Sequence, residues 1–193
     1  MRPPARLDYR PAMQPDTPPA TVTVEHRDDI TVITLDDGKA NAISHEVVAA
    51  LRSGLTEAAD RSKAVAIVGR PGRFSGGFDL TTMRAGPDSA LGLLGAGAEL
   101  AFQAFTSPIP VVVGCTGHAL AMGAIFLLAV DVRIGADGPF KIGMNEVAIG
   151  MPVPRFAIGL ARNRLTPPGL ELSVQQAAIH DPESALRTGF LDE

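Results

Sequence analysis

Phe74-Ser-Gly-Gly-Phe-Asp-Leu80, taken with Gly117-His-Ala-Leu-Ala-Met-Gly123 and Lys141-Ile-Gly-Met-Asn-Glu-Val-Ala-Ile-Gly150, decides how this chain is read. The first two stretches are loops of small residues, where the backbone can approach a ligand closely and present its N–H groups. The third sets one acid, Glu146, among the apolar residues Ile142, Met144, Val147 and Ile149. Burial among such neighbours raises a carboxyl pKa toward the range useful for proton transfer near neutral pH. Two loops of donors followed by one carboxyl are the parts of a site that handles an enolate.

Outward from these loops, the hydrophobic pattern alternates between strand and helix. Thr21-Val-Thr-Val-Glu25 and Ile30-Thr-Val-Ile-Thr-Leu35 have period two around Asp28-Asp29, the pattern of two strands and a turn. Ser44 can cap a helix whose apolar positions Val47, Val48, Leu51 and Leu55 recur at helical spacing. Ala64–Gly69 reads as a buried strand feeding the first glycine loop. Leu91, Leu94, Ala98, Phe102 and Phe105 predict a second helix, weakened and partly mobile because of Gly92, Gly95 and Gly97. Pro110–Thr116 is a strand, Met122 to Ala129 an apolar helix, and Asp131–Ala136 a further strand. Residues 154–163 and 169–179 read as helices, and Asp181-Pro-Glu183 caps another. This order predicts an α/β fold with a largely parallel core.

Met1 to about Ala20 holds Pro3, Pro4, Pro11, Pro15, Pro18 and Pro19 with few large apolar residues, so it is read as a disordered arm before one domain over residues 21–193. The 193-residue chain is 46% hydrophobic and 20% charged, ordinary for one globular domain. A net charge of -4 gives no reason to expect a nucleic-acid surface. One cysteine, Cys115, excludes an intramolecular disulfide and a thiolate metal cluster, and no metal site is expected. The N-terminus lacks the apolar core of a signal peptide, and the run from Ala119 to Val130 is too short to cross a bilayer. The expectation is therefore a cytoplasmic protein without a membrane partner.

At these three stretches the chain resembles the crotonase superfamily, which includes the enoyl-CoA hydratases and isomerases. The resemblance runs from about Thr21 to Glu193 and implies a spiral of ββα units. It implies that Phe74–Leu80 is the first oxyanion loop, which also holds CoA, and that Gly117–Ala124 is the second, entering a helix. The carbonyl of an acyl-CoA thioester would then meet the backbone N–H groups of Phe78 and Met122. Lys39, Ala40, Gly76, Gly77 and Asp79 would contact or support CoA, which enters as part of the substrate rather than as a separate cofactor. Met122 replaces the family's usual glycine, so a positive φ there would strain the loop.

Hydratases of this family use two carboxylates. The position of the first falls on Ile125 and that of the second on Glu146. Asn145-Glu146, after Lys141-Ile-Gly143, is more similar to the Δ3,Δ2-enoyl-CoA isomerases, in which one carboxylate moves a proton from C2 to C4. The implied function is enoyl-CoA isomerisation. The alternatives are a non-catalytic acyl-CoA carrier and a hydratase or other crotonase reaction. The resemblance also implies a homotrimer or hexamer. Pro182–Glu193 is similar to the stretch before the family's C-terminal helices, so the expectation is that this sequence lacks that helical region, either as a fragment of a longer chain or as a shortened member with an open pocket.

Several of these residues have plainer readings. Asp79 fits a helix N-cap, and His118 a packed side chain bonded to backbone rather than a base. Cys115 fits an inert core thiol, and Lys39 an exposed lysine.

Overall fold

The structure is a computed structural model that describes residues 21–193; the Pro-rich stretch before them lies outside the described residues. Ten strands occupy Val22–Arg27 (β1), Ile30–Leu35 (β2), Ala42–Ile43 (β3), Ala64–Gly69 (β4), Gly72–Ser75 (β5), Gly77–Phe78 (β6), Val111–Cys115 (β7), Gly117–Leu120 (β8), Val132–Gly135 (β9) and Ile142–Gly143 (β10). The α-helices are His45–Arg61 (α1), Leu80–Arg84 (α2), Pro87–Phe105 (α3), Met122–Leu127 (α4), Arg155–Arg164 (α5), Pro167–Leu170 (α6) and Pro182–Thr188 (α7).

Chain order and pairing together describe a spiral. The large sheet runs β1-β2-β4-β7-β9, and after the antiparallel β1–β2 hairpin every pair is parallel. Each of its parallel strands is followed by short-strand and then helical structure: β2, β3, α1; β4, β5 and β6, α2 and α3; β7, β8, α4; β9, β10, α5. The short strands form a second parallel sheet, β10-β8-β5, and the separate pair β3–β6. Four ββα turns therefore stack side by side, and the loops at one end of successive turns become neighbours. That stacking is what brings the three quoted stretches together.

The core follows from the sequence pattern. On β4 and β7 alternate residues, Val65 and Ile67, then Val111, Val113 and Cys115, are buried against the helices. Helix α1 turns Val47, Val48, Leu51 and Leu55 inward, and the Ser44 hydroxyl accepts the Val47 N–H at 3.3 Å to cap it. Helix α4 is buried at every position, as its composition requires.

Two expectations need correction. Helix α3 is one continuous helix of 19 residues rather than a loosened segment. The reason is tertiary: a Cβ at Gly97 would stand 2.4 Å from Cζ of Phe78, so that glycine admits a ring rather than a hinge. The helix expected to reach residue 179 stops earlier. After α6 the chain widens into one π-helical turn, Glu171–Gln175, and Ala177, at φ 51°, breaks the run.

Candidate active site

The glycine loop is held from three sides. Gly76 N–H donates to Ala40 C=O at 2.8 Å, Gly77 N–H to the Ser75 hydroxyl at 3.1 Å, and Asp79 N–H to Ile43 C=O at 3.0 Å. N–H groups alternate in direction along an extended strand, so Phe78, next to Asp79, turns its own N–H away from β3. Gly77 has φ 98°, and a Cβ built there would meet Ala121 Cβ at 2.9 Å, Leu120 C=O at 3.1 Å and Met122 N at 3.4 Å. The glycine loop and the start of α4 are thus in contact through a residue that only glycine fits.

Met122 is the first residue of α4, and the N–H groups of a helix's first turn have no intrahelical acceptor. The strain expected at Met122 lies one residue earlier. Ala121, at φ 49° and ψ -123°, takes the conformation that glycine would adopt readily, so Met122 is helical and unstrained. Ala121 N–H donates to Gly143 C=O at 3.0 Å, and β8 pairs with β10 through Ala119 and Ile142. The second loop is therefore bonded directly to the strand that leads to Glu146.

Glu146 is 7% exposed and is the one buried carboxylate among the described residues. Burial pushes its pKa above the ordinary 4.5, and its Oε2 finds no hydrogen-bond partner among the described residues. Oδ1 of Asn145 is likewise buried without one. The apolar surroundings are only half as expected: Ile142 and Met144 are buried, but Val147 and Ile149 project outward. The cause is the turn that Glu146 begins, in which its carbonyl accepts from Ile149 and Met151 N–H groups and the next three residues face outward.

The remaining residues singled out from sequence divide by geometry. Asp79 caps α2, its carboxylate accepting both the N–H and the hydroxyl of Thr82 at 2.7 Å; the Thr82 hydroxyl and N–H hold its pKa below the ordinary value. His118 Nδ1 accepts the Lys141 N–H at 2.9 Å, which leaves the proton on Nε2. Burial, then Arg73 and Lys141, push its pKa down. The Cys115 thiol is buried, donates to Gly117 C=O and is pushed up to about 11 by burial. Ile125 is 1% exposed, inside the core. Lys39 and Ala40 are exposed on the loop whose Ala40 carbonyl receives Gly76 N–H, and Arg70 donates to Lys39 C=O at 2.9 Å.

Two residues of the same loops escaped the sequence reading. Asn41, fully buried at φ 52°, donates from Nδ2 to the carbonyls of Leu35, Arg73 and Phe74. Asp37 accepts the N–H groups of Lys39, Asn41 and Ala42; burial raises its pKa, but these bonds bring the net value below normal. A signal was present: Asn41 sits in Gly38-Lys-Ala-Asn-Ala42, where asparagine tolerates the left-handed backbone better than most residues.

Comparison with known proteins agrees with the fold. A family model described as enoyl-CoA hydratase/isomerase matches residues 25–193. Human mitochondrial enoyl-CoA delta isomerase 1 is 32% identical over 126 residues, 64% of this chain and 42% of that protein, so the match spans less than half of that relative. An enoyl-CoA hydratase/isomerase family protein from Pseudomonas syringae superimposes with a TM-score of 0.87 at 42% identity, covering 89% of this chain and 75% of that one. An enoyl-CoA hydratase from Mycobacterium marinum gives 0.84 at 40% identity, covering 90% and 76%.

Proposed function

The chain belongs to the enoyl-CoA hydratase/isomerase family, and from that premise we propose that it is an enoyl-CoA isomerase acting by a 1,3-proton shift through Glu146. One observation carries this choice within the family: Glu146 is the single buried carboxylate among the described residues. Water addition across C2–C3 needs one group to hold the water and another to deliver a proton, and the position that the resemblance assigns to the first of those two acids is Ile125. Moving one proton from C2 to C4 needs one base that can return what it takes.

In this mechanism the acyl-CoA thioester carbonyl accepts hydrogen bonds from the N–H groups of Phe78 and Met122. Ionised Glu146 removes a C2 proton, the electrons shift onto the thioester oxygen, and the enolate is held by those two donors. The resulting carboxylic acid returns the proton at C4 as the double bond moves into conjugation. Donors fixed in advance stabilise developing charge without reorganising, and one lost donor costs about 3 to 4 kcal/mol of transition-state stabilisation. Lys39, Ala40, Gly76, Gly77 and Asp79 form or support the CoA side of the site, and CoA comes and goes with the substrate. A homotrimer or hexamer and a cytoplasmic location are proposed with it. Among the described residues no helix is long and apolar enough to cross a membrane.

The test is turnover of two substrates by one preparation. With 3-enoyl-CoA the conjugated 2-enoyl thioester should accumulate, while 2-enoyl-CoA should be hydrated slowly or not at all. Equal hydratase and isomerase rates would reassign the chain to water addition. Tight acyl-CoA binding with neither reaction, and no deuterium exchange at C2, would make it a carrier.

A further inference from the structure

We propose that Ser75, held by Asn41, is a positioning residue for the oxyanion donors: a buried relay that decides which N–H of the glycine loop faces the substrate. The inference rests on the reading of Phe78 and Met122 as those donors.

Ser75 is fully buried. Its hydroxyl donates to Asn41 C=O at 2.8 Å and accepts Gly77 N–H at 3.1 Å. A hydroxyl has a single proton, so once it is given to Asn41 the lone pairs are what Gly77 meets, and the direction of the relay is fixed. Gly77 N–H is thereby consumed inside the protein. With Asp79 N–H taken by Ile43, the N–H between them, that of Phe78, is the one turned outward.

Asn41 cannot drift. Its amide reaches three carbonyls, at 2.8, 3.1 and 3.1 Å, and its Oδ1 accepts Asp37 N–H at 2.9 Å. Ser75 also touches the second donor's helix. A Cβ at Gly123 would lie 2.6 Å from Ser75 C=O and 2.9 Å from Ser75 Cβ, so the residue that orients one donor also sets how closely the other's helix approaches. A hydroxyl in this place touches no substrate, yet displacing it tilts Phe78 and lifts Met122 together.

The experiment compares wild type with Ser75→Ala and Ser75→Cys, using a saturated acyl-CoA labelled with 13C at the thioester carbonyl. Isotope-edited infrared spectroscopy reads the carbonyl stretch of the bound ligand, calorimetry its affinity, and turnover of 3-enoyl-CoA gives kcat and KM. Bound to wild type, the stretch should fall below that of free ligand. Ser75→Ala should lose much of that fall and about 10- to 100-fold in kcat, with affinity and KM within about threefold. Ser75→Cys, nearly isosteric with a weak acceptor, should lie between them, and it carries the test if the alanine variant melts below the assay temperature. Variants that keep the full shift and full kcat overturn the positioning role while leaving the donors intact. A wild type that shows no shift overturns the oxyanion reading itself, and the proposal with it.

Discussion

Gly77→Ala is the smallest change that tests whether the two loops are pressed together as described. At φ 98° a non-glycine residue pays about 1 to 2 kcal/mol in backbone strain. The new methyl would stand 2.9 Å from Ala121 Cβ, so one loop must retreat by about half an ångström to reach ordinary contact. Ala121 has no rotamer to yield with, and an overpacked core site typically loses about 1 to 3 kcal/mol. The sum, about 2 to 5 kcal/mol, corresponds to roughly 4 to 20 °C in the melting midpoint of a domain this size. Met122 N lies 3.4 Å from the same methyl position, so acyl-CoA affinity should fall as well. Thermal melts and calorimetry measure both losses. The decisive comparison is the cost of Gly77→Ala in wild type against its cost in an Ala121→Gly background. Glycine at 121 relieves that residue's own backbone strain by itself, so only this difference isolates the facing methyl. The overpacking part should vanish while the φ strain at residue 77 stays. If Gly77→Ala costs the same in both backgrounds, the loops do not meet at this point, and the geometry assigned to the two donors is wrong.

The other predictions follow from single groups. For Glu146, burial places the folded-state pKa above the ordinary 4.5. Between those two values the unfolded chain ionises first, so stability declines as pH rises through that window and levels off above it. Glu146→Gln should therefore gain on wild type in urea midpoint as pH rises above the ordinary carboxyl range, with no further gain once the folded-state carboxyl has ionised, and should lose about 10²- to 10⁴-fold in isomerase kcat while still binding acyl-CoA; a pH-independent stability difference would contradict a buried acid. Gly97→Ala puts a methyl 2.4 Å from the Phe78 ring and should cost about 1 to 3 kcal/mol along with part of kcat, readable in melts and turnover. Cys115, with its pKa pushed up to about 11, should resist iodoacetamide near neutral pH until the protein is denatured; prompt labelling of the folded protein would contradict its burial.

How far the sequence reached depends on the range of the interactions concerned. The strands of the large sheet were legible because alternation is a local signature, and the Ser44, Asp79 and Asp181 caps because a cap bonds to its own first turn. Glycine counts misjudged α3, since the partner that requires Gly97 is Phe78, on another element. Exposure of Val147 and Ile149 was equally hidden: periodicity reports apolar residues, but the turn at Glu146 decides which way they face. Ser75 and Asn41 stood inside stretches already singled out. The left-handed turn at Asn41 had a local signal, but the bonds that join Asn41 to Ser75 and to the Arg73 and Phe74 carbonyls span more than thirty residues, and no local pattern corresponds to those.

The irregularities of the molecule gather where its chemistry is proposed. Ala121 takes a backbone conformation suited to glycine, Gly77 excludes any side chain, and Glu146 and Asn145 each bury an oxygen without a partner among the described residues. The strained Ala121 and the two unpartnered oxygens each lower stability, and in a core chosen for stability alone glycine would stand at position 121 and apolar side chains at positions 145 and 146. Their positions share one cause in the fold. Every ββα turn ends its short strand at the same end of the spiral, so the glycine loop after β5, the turn after β8 and the acid after β10 come from three consecutive turns. The Ala121 to Gly143 bond and the Gly77 to Ala121 contact lock those turns in register. Donors and acid are thereby fixed relative to one another by the main chain, and a rigid frame of this kind can hold an unpartnered carboxyl ready for a substrate proton.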